Sequence, residues 1–310
     1  MDCSPPLKCP LAATVKLSYP MSQPFIGSEA VANGDVTKTE LRARYKKLLR
    51  DVYVGPYVEM TPELRARAVW LWSRRRGTVA GLTASAVHGA EWVAPDAPLE
   101  ILHTNRNSLP GLQVRGDHIE ADEIARIDGM PVTIPARTVL DLGCWYPTDD
   151  AVVAIDALLA SVDVKISEVE ALAGRYSGRR GIRNARIAFD LADGGSQSPK
   201  ETLLRLLLIR AGFPRPQTQI AVSDGLGDEF AHLDMGWENV QVAVEYDGEQ
   251  HRTNRWRYTW DIQRQEKIQR CGWIVVRVVA GDRPAVIIRR VAAARASCGC
   301  TDRLRGVALA

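Results

Sequence analysis

Residues 224–249 form an acidic segment within strand-like sequence, and this combination limits how the C-terminal part of the chain can fold. The segment holds eight Asp and Glu residues and no Lys or Arg. Asp234 lies in the sequence Ala-His-Leu-Asp-Met, while Glu245 and Asp247 lie in Val-Ala-Val-Glu-Tyr-Asp-Gly. A half-buried carboxylate is costly unless a cation pairs with it. The pattern therefore predicts carboxylates gathered at a sheet edge around a divalent ion, which is typical of Mg²⁺ sites for phosphodiester cleavage.

The two strands of this segment are predicted to form a hairpin whose side chains alternate between two faces. Four apolar residues then share the buried face: Leu233, Met235, Val242 and Val244. Asp234, Glu245 and Asp247 fall on the opposite face when the turn has an even number of residues. Glu201, at the start of the preceding helix, can join them from the side. The alternative is that the three strand acids are solvated on an exposed sheet face.

Charge is distributed unevenly around the acidic segment, although the whole chain has a formal net charge of only +3. Residues 38–76 carry eleven Lys and Arg against four Asp and Glu, a local net charge of +7. Residues 252–270 carry six against two, a local net charge of +4. Basic flanks around an acidic centre favour a protein that holds a polyanion while metal ions occupy the acids. Solvated helical faces are the alternative interpretation.

Composition excludes several other classes of protein. The 310 residues suggest two or three domains, and 46% apolar with 25% charged residues is typical of a globular protein. No apolar run approaches the ~18–20 residues of a membrane helix, and the first twenty residues do not resemble a signal peptide. The cysteines lack the paired spacing of a four-ligand zinc site: Cys3, Cys9, Cys144, Cys271, Cys298 and Cys300. We expect a reduced, cytoplasmic protein.

Residues 25–76 are predicted to form a winged helix-turn-helix. A short helix ends at Gly34, and Thr37 with Glu40 forms a capping box that opens a second helix through about Lys47. Residues 48–56 then form a β-hairpin, or wing. The second helix carries five basic residues: Lys38, Arg42, Arg44, Lys46 and Lys47. Such a helix can lie in the major groove of DNA, although small basic helix pairs also exist that bind nothing.

The overall expectation is an α+β or α/β protein with several regions. Residues 1–24 are predicted to be a disordered or non-native extension, with Met21 as a second candidate start. The remaining regions are an α+β middle domain (77–192), a turn-rich linker (193–199), a mixed sheet flanked by helices (200–290) and a tail (291–310).

The C-terminal region resembles the PD-(D/E)XK nuclease superfamily, in the branch of the very-short-patch-repair endonucleases. The resemblance covers about residues 196–290 and depends on these elements: Glu201, Leu233-Asp234, Val244-Glu245-Tyr246-Asp247-Gly248 with His251, Asp261-x-x-Arg264, and Gly272-Trp273-x-Val-Val-Arg277. Residues 25–56 and the segment from Pro131 to Thr138 are similar to AbiEi-type antitoxins, which begin with a winged helix-turn-helix. This second resemblance is the weaker one.

The nuclease resemblance implies a restriction-endonuclease-like fold and a Mg²⁺ or Mn²⁺ cofactor. Asp234 and Glu245 match the two metal-binding acids, the backbone carbonyl of Tyr246 matches a further ligand, and Glu201 matches the helical acid that supports the site. The chain departs from the family pattern at Asp247, where the family has a Lys that orients water and offsets phosphate charge. His251 is one candidate to replace it, as general acid or base.

Arg264 and Lys267 are the other candidates to supply that charge. Between them and the acids, Arg252, Arg255 and Arg257 alternate with three aromatic residues: Trp256, Tyr258 and Trp260. This mixture suits phosphate binding and base stacking, or else a loop whose aromatic rings pack on the sheet.

Two functions follow from the sequence. The first is a Mg²⁺-dependent DNA endonuclease, a hydrolase of DNA repair or defence, with an N-terminal DNA-binding module. The second is an antitoxin-like repressor with an inactive nuclease fold. DNA is the expected partner in both, with a toxin or repair protein as a further candidate and no membrane. A protein-interaction scaffold that does not bind DNA is a third hypothesis.

Overall fold

The computed structural model of the protein describes residues 22–105, 109–224, 227–248, 255–302 and 304. For residues 255–261 only the backbone is described. Within these ranges the chain forms eleven α-helices and three β-sheets, which confirms a mixed helix and strand class. No helix in the described part of the chain is both long and apolar enough to cross a bilayer. The chain divides after Gly77 into two compact units.

The first unit combines short helices with a small sheet. Its elements are β1 (Phe25–Ile26), α1 (Gly27–Ala32), α2 (Lys38–Arg44), β2 (Lys46–Leu49), β3 (Val52–Val54) and α3 (Pro62–Trp72). The strands lie in the order β1-β3-β2. The predicted capping box is confirmed, because Thr37 Oγ1 accepts from the Glu40 N–H at 3.1 Å and Glu40 Oε2 accepts from the Thr37 N–H at 2.9 Å.

The prediction that Lys46 and Lys47 belong to the second helix is wrong. α2 ends at Arg44, and both lysines lie on β2, where they pair with β3. The physical reason is Tyr45, which has an extended backbone and is buried with its ring edge-on to Phe25, at a centroid distance of 5.1 Å. Burying this ring outweighs the helix propensity of the two lysines.

The second unit begins with a five-stranded sheet and a group of helices. Its elements are β4 (Thr78–Val79), α4 (Gly81–Val87), β5 (Leu99–Leu102), β6 (Leu112–Arg115), β7 (Ile124–Ile127), β8 (Met130–Thr133), α5 (Pro135–Trp145), α6 (Thr148–Ser161), α7 (Ile166–Gly174) and α8 (Ile182–Leu191). The strand order is β6-β5-β4-β8-β7, and α5 to α8 share one apolar core.

The unit continues with a four-stranded mixed sheet. Its elements are α9 (Pro199–Ala211), β9 (Gln217–Ser223), β10 (Glu229–Trp237), β11 (Val242–Asp247), α10 (Arg255–Arg270), β12 (Ile274–Val279) and α11 (Pro284–Ser297). The order is β12-β11-β10-β9, with β10 antiparallel to both neighbours and β11 parallel to β12. Helices α9 and α11 share one apolar cluster with the sheet, and Ile268 of α10 belongs to a second cluster.

Buried polar contacts fix α9 on α6, and these contacts position the start of α9. Arg205 and Asp156 are both fully buried, and Arg205 Nη2 donates to Asp156 Oδ2 at 2.7 Å. The Thr202 hydroxyl donates to the same oxygen at 2.8 Å, and the Asp193 N–H donates to Asp156 Oδ1 at 2.7 Å. Burial raises the pKa of Asp156 to about 6, and the charge of Arg205 opposes this rise. The segment 193–199, predicted to be a linker, therefore begins at a buried hydrogen bond.

Candidate functional site

Asp234 and Glu245 lie on neighbouring strands, next to the last residue pair of the β10–β11 ladder. That pair is Met235 with Val244, so Asp234 precedes it on β10 and Glu245 follows it on β11. Beyond this pair, Asp234 Oδ2 accepts from the backbone N–H of Tyr246 at 2.8 Å. A carboxylate thus takes the place of a strand carbonyl as acceptor, and it holds the Asp234 side chain beside β11.

The buried face of the hairpin differs from the prediction at one residue. Met235, Val242 and Val244 share one apolar cluster, as predicted, but Leu233 belongs to another cluster, which contains Ile220, Ala243 and Ile268. The regular alternation is disturbed between the pairs Leu233–Ile220 and Met235–Thr218, where Gln219 of β9 has a left-handed backbone with φ of 48°. Leu233 and Met235 therefore do not share one face, although strict alternation along the strand predicts that they do.

The negative charges of Glu201 and Glu245 act on the carboxyl group of Asp234. The pKa of Asp234 is raised to about 7, mainly by burial and also by the negative charges of Glu201 and Glu245, while the Tyr246 N–H and the Arg264 charge oppose the rise. A carboxyl group in this position is only partly ionised at neutral pH in the absence of a cation. A positive charge beside Asp234 would stabilise its ionised form.

Glu201 has a structural role at the first turn of α9. Its Oε2 accepts from the Gln197 N–H at 2.7 Å, and its Oε1 accepts from the Ser198 hydroxyl at 2.9 Å. The Ser198 hydroxyl in turn accepts from the Glu201 N–H at 3.2 Å, so the two residues cap the helix. Both carboxylate oxygens of Glu201 are therefore engaged, and its influence on Asp234 acts through charge.

Glu245 is buried and is neutralised by arginine. Arg264 Nη2 donates to Glu245 Oε1 at 3.1 Å, and it also donates to the backbone carbonyl of His232 at 2.7 Å. Arg277 Nε lies 3.9 Å from Glu245 Oε2, because β11 and β12 pair in the register that places Glu245 beside Arg277. The sequence analysis gave Arg264 as a candidate source of positive charge for the phosphate, but it named Arg277 only as part of the family resemblance and gave it no role. The signal was a single charged residue in the apolar sequence Ile-Val-Val-Arg-Val-Val.

The other predicted residues of this region lie at varied positions. Asp247 is the last residue of β11 and is partly exposed. Lys267 Nζ lies 3.1 Å from Asp224 Oδ2, so this lysine pairs with Asp224 rather than with Asp234 or Glu245. His251 and Arg252 lie outside the described residues, and Arg255 and Arg257 belong to the part of α10 whose backbone alone is described. That helix begins at Arg255 and ends at Arg270.

The described residues contain no group of three or more His, Cys, Asp or Glu side chains that could hold a metal ion. The candidate oxygens are those of Asp234 and Glu245 on neighbouring strands, together with the backbone carbonyl of Tyr246. All are hard donors of the kind that Mg²⁺ and Mn²⁺ prefer. The donor set therefore fits such an ion, provided that Glu245 gives up Arg264.

The predicted DNA-binding residues of the first unit are exposed. Lys38, Arg42 and Arg44 lie on α2, and Lys46 and Lys47 lie on the adjoining strand β2. One of them, Arg44, is 3.9 Å from Glu40 on the same helix, a solvated pair that contributes little to stability.

No family model matches this chain. It is similar to two proteins of Mycobacterium tuberculosis described as uncharacterized, Rv2248 of strain H37Rv and MT2308 of strain CDC 1551. Each is 29% identical over 251 residues, which cover 80% of this chain and 92% of the relative. A solved structure, the RV2827C protein of M. tuberculosis, is 17% identical with a TM-score of 0.36, and the match covers 65% of this chain and 84% of that protein.

Proposed function

We propose that this protein is a DNA endonuclease of the PD-(D/E)XK type that depends on a divalent cation. The observation that carries this proposal is the position of Asp234 and Glu245 on adjacent strands, where neighbouring acids help to raise the pKa of Asp234 to about 7. Acids that raise one another's pKa in a partly buried site favour a positive charge beside them. Together with a divalent cation, such a pair supports phosphodiester hydrolysis.

The surrounding elements support a restriction-endonuclease-like fold. A capped helix, α9, precedes an antiparallel hairpin, and the crossover helix α10 leads to the parallel strand β12. The helices pack against the sheet in two apolar clusters. The acids lie where the hairpin strands stop pairing, so a ligand that contacts them does not have to break the β10–β11 ladder.

The chain's own groups have separate roles in the proposed reaction. Asp234, Glu245 and the carbonyl oxygen of Tyr246 would hold Mg²⁺ or Mn²⁺, which supplies an activated water and offsets phosphate charge when bound. The Tyr246 N–H orients Asp234, and Glu201 fixes the first turn of α9. Because Asp247 replaces the family's Lys, positive charge at the site comes from Arg264, and His251 is the proposed proton donor or acceptor.

The first unit is the proposed DNA-binding module, a winged helix-turn-helix. Helices α1 and α2 are joined at Gly34, which has φ of 75°, and the β2–β3 hairpin follows as the wing. Three exposed basic side chains on α2 and two on β2 then face the phosphates or base edges of a duplex.

The test is nicking of supercoiled plasmid in Mg²⁺ or Mn²⁺ by the wild type, Asp234→Asn and Glu245→Gln. Glu238→Gln is the matched control, since Glu238 is an exposed acid of the same acidic segment. We expect nicking by the wild type and the control, and none by the two site variants. Equal nicking by all four proteins, or by none, would exclude the proposed endonuclease activity.

A DNA-binding repressor with an inactive nuclease fold is the second candidate. The specific observation in its favour is that Glu245 is already neutralised by Arg264, while Asp247 stands in place of the family's Lys. This candidate predicts no nicking by any variant. It also predicts a metal-free gel shift of duplex DNA whose affinity falls steeply as salt rises.

A further inference from the structure

Two guanidinium groups converge on one buried carboxylate at the candidate site. The Glu245 side chain is 10% exposed, and Arg264 and Arg277 approach its two different oxygens at 3.1 Å and 3.9 Å. When its oxygen is oriented toward Arg277, the Gln265 carboxamide accepts from Nε at 3.0 Å and from Nη2 at 2.5 Å. The arginines therefore reach Glu245 from two elements, α10 and β12.

The two arginines contact Glu245, and their side chains remain partly exposed to solvent. The side chain of Arg277 is 41% exposed and that of Arg264 is 19% exposed. Each guanidinium has several N–H donors in a fixed plane, and the planar fork matches a phosphate as well as a carboxylate. An incoming phosphodiester could therefore replace Glu245 as their partner.

A divalent cation and the arginines compete for the same carboxylate. A cation bound by Asp234 and Glu245 would repel guanidinium groups that contact Glu245, and it would remove the charge that holds them there. Asp247 cannot supply the positive charge that a Lys would bring to the phosphate. The displaced arginines, which already contact Glu245, can supply it.

We propose that Arg264 and Arg277 neutralise Glu245 in the metal-free protein and bind the scissile phosphodiester once a divalent cation takes Glu245. This inference rests on the proposed endonuclease function. It assigns Arg277 to the substrate site. Both arginines are then phosphate-binding residues, and before substrate binds they neutralise the charge of Glu245.

The test measures Mn²⁺ binding by the full chain without DNA, using electron paramagnetic resonance. Arg264→Gln and Arg277→Gln are compared with the wild type and with Arg270→Gln, an exposed arginine on the same helix α10. We expect each of the first two variants to bind Mn²⁺ about tenfold more tightly, because one competing charge-assisted hydrogen bond or ion pair is lost. The control should bind as the wild type does.

A second measurement follows binding of a DNA duplex in Ca²⁺ by fluorescence anisotropy. Arg264→Gln and Arg277→Gln should bind the duplex about tenfold more weakly, since each loses a phosphate contact. Arg264→Lys keeps the positive charge and guards against misfolding, and it should bind Mn²⁺ as the wild type does while binding DNA more weakly.

The outcomes separate the inference from the function on which it rests. If the wild type binds Mn²⁺ and neither Gln variant binds it more tightly, the inference fails and the proposed function stands. If the Gln variants bind Mn²⁺ more tightly but bind DNA with unchanged affinity, the proposal that the arginines bind the phosphodiester is overturned. If no variant binds Mn²⁺, both the proposed function and the inference are overturned.

Discussion

Replacing Asp234 by Asn should stabilise the metal-free protein at alkaline pH. The rise of the Asp234 pKa from 3.8 to about 7 corresponds to about 4 kcal/mol against the folded state when the group is ionised in both states. Asn carries no charge, and its side-chain oxygen can still accept from the Tyr246 N–H. Because structural relaxation reduces the cost of a partly buried charge, we expect a gain of about 2 kcal/mol or more at pH 8.

The sign of the pH dependence follows from the raised pKa. The folded state binds the Asp234 proton more tightly, so the contribution of Asp234 to stability is most favourable below pH 4 and is lost as pH rises toward 7. The difference between Asp234→Asn and the wild type should therefore grow by about 1 kcal/mol or more between pH 5 and pH 8. Above pH 8 this group should add no further change.

The assay is urea denaturation in EDTA at pH 5 and pH 8, followed by circular dichroism. Glu238→Gln is the control, since it removes a carboxylate that is exposed in the folded protein. If Asp234→Asn differs from the wild type by the same amount at both pH values, or is less stable at pH 8, the charge argument for this site is wrong.

Three further perturbations test the supporting contacts. Glu201→Ala removes the capping partner of α9 and should lower the free energy of unfolding by about 1 kcal/mol, measured by urea denaturation. Asp156→Asn leaves Arg205 buried without its counter-charge and should cost about 3–5 kcal/mol in the same measurement. The double variant Lys38→Ala, Arg42→Ala should reduce the slope of log affinity for duplex DNA against log salt by about 2 in metal-free gel shifts.

Local features of the fold could be predicted from the sequence. Thr37 with Glu40 and Ser198 with Glu201 are close in sequence, so the side chains that start α2 and α9 are set within one helical turn. Asp234 and Glu245 also belong to one hairpin, whose register is limited by its apolar residues.

Contacts between distant segments could not be predicted in this way. Arg277 meets Glu245 only because β12 pairs in parallel with β11 after the crossover helix α10, and no local pattern sets that register. Arg205 and Asp156 are separated by 49 positions, and their contact depends on how α9 packs on α6. α2 ends before Tyr45 because the ring of this residue packs on Phe25, and helix propensities do not take such a tertiary contact into account.

The most direct measurement is anomalous diffraction from crystals of the full chain grown with Mn²⁺. We expect an anomalous peak within ligand distance of Asp234 and Glu245, with the Arg264 guanidinium no longer hydrogen-bonded to Glu245. A map without a peak beside these two carboxylates at saturating Mn²⁺, with Arg264 still bound to Glu245, would contradict the proposal that they form a catalytic metal site.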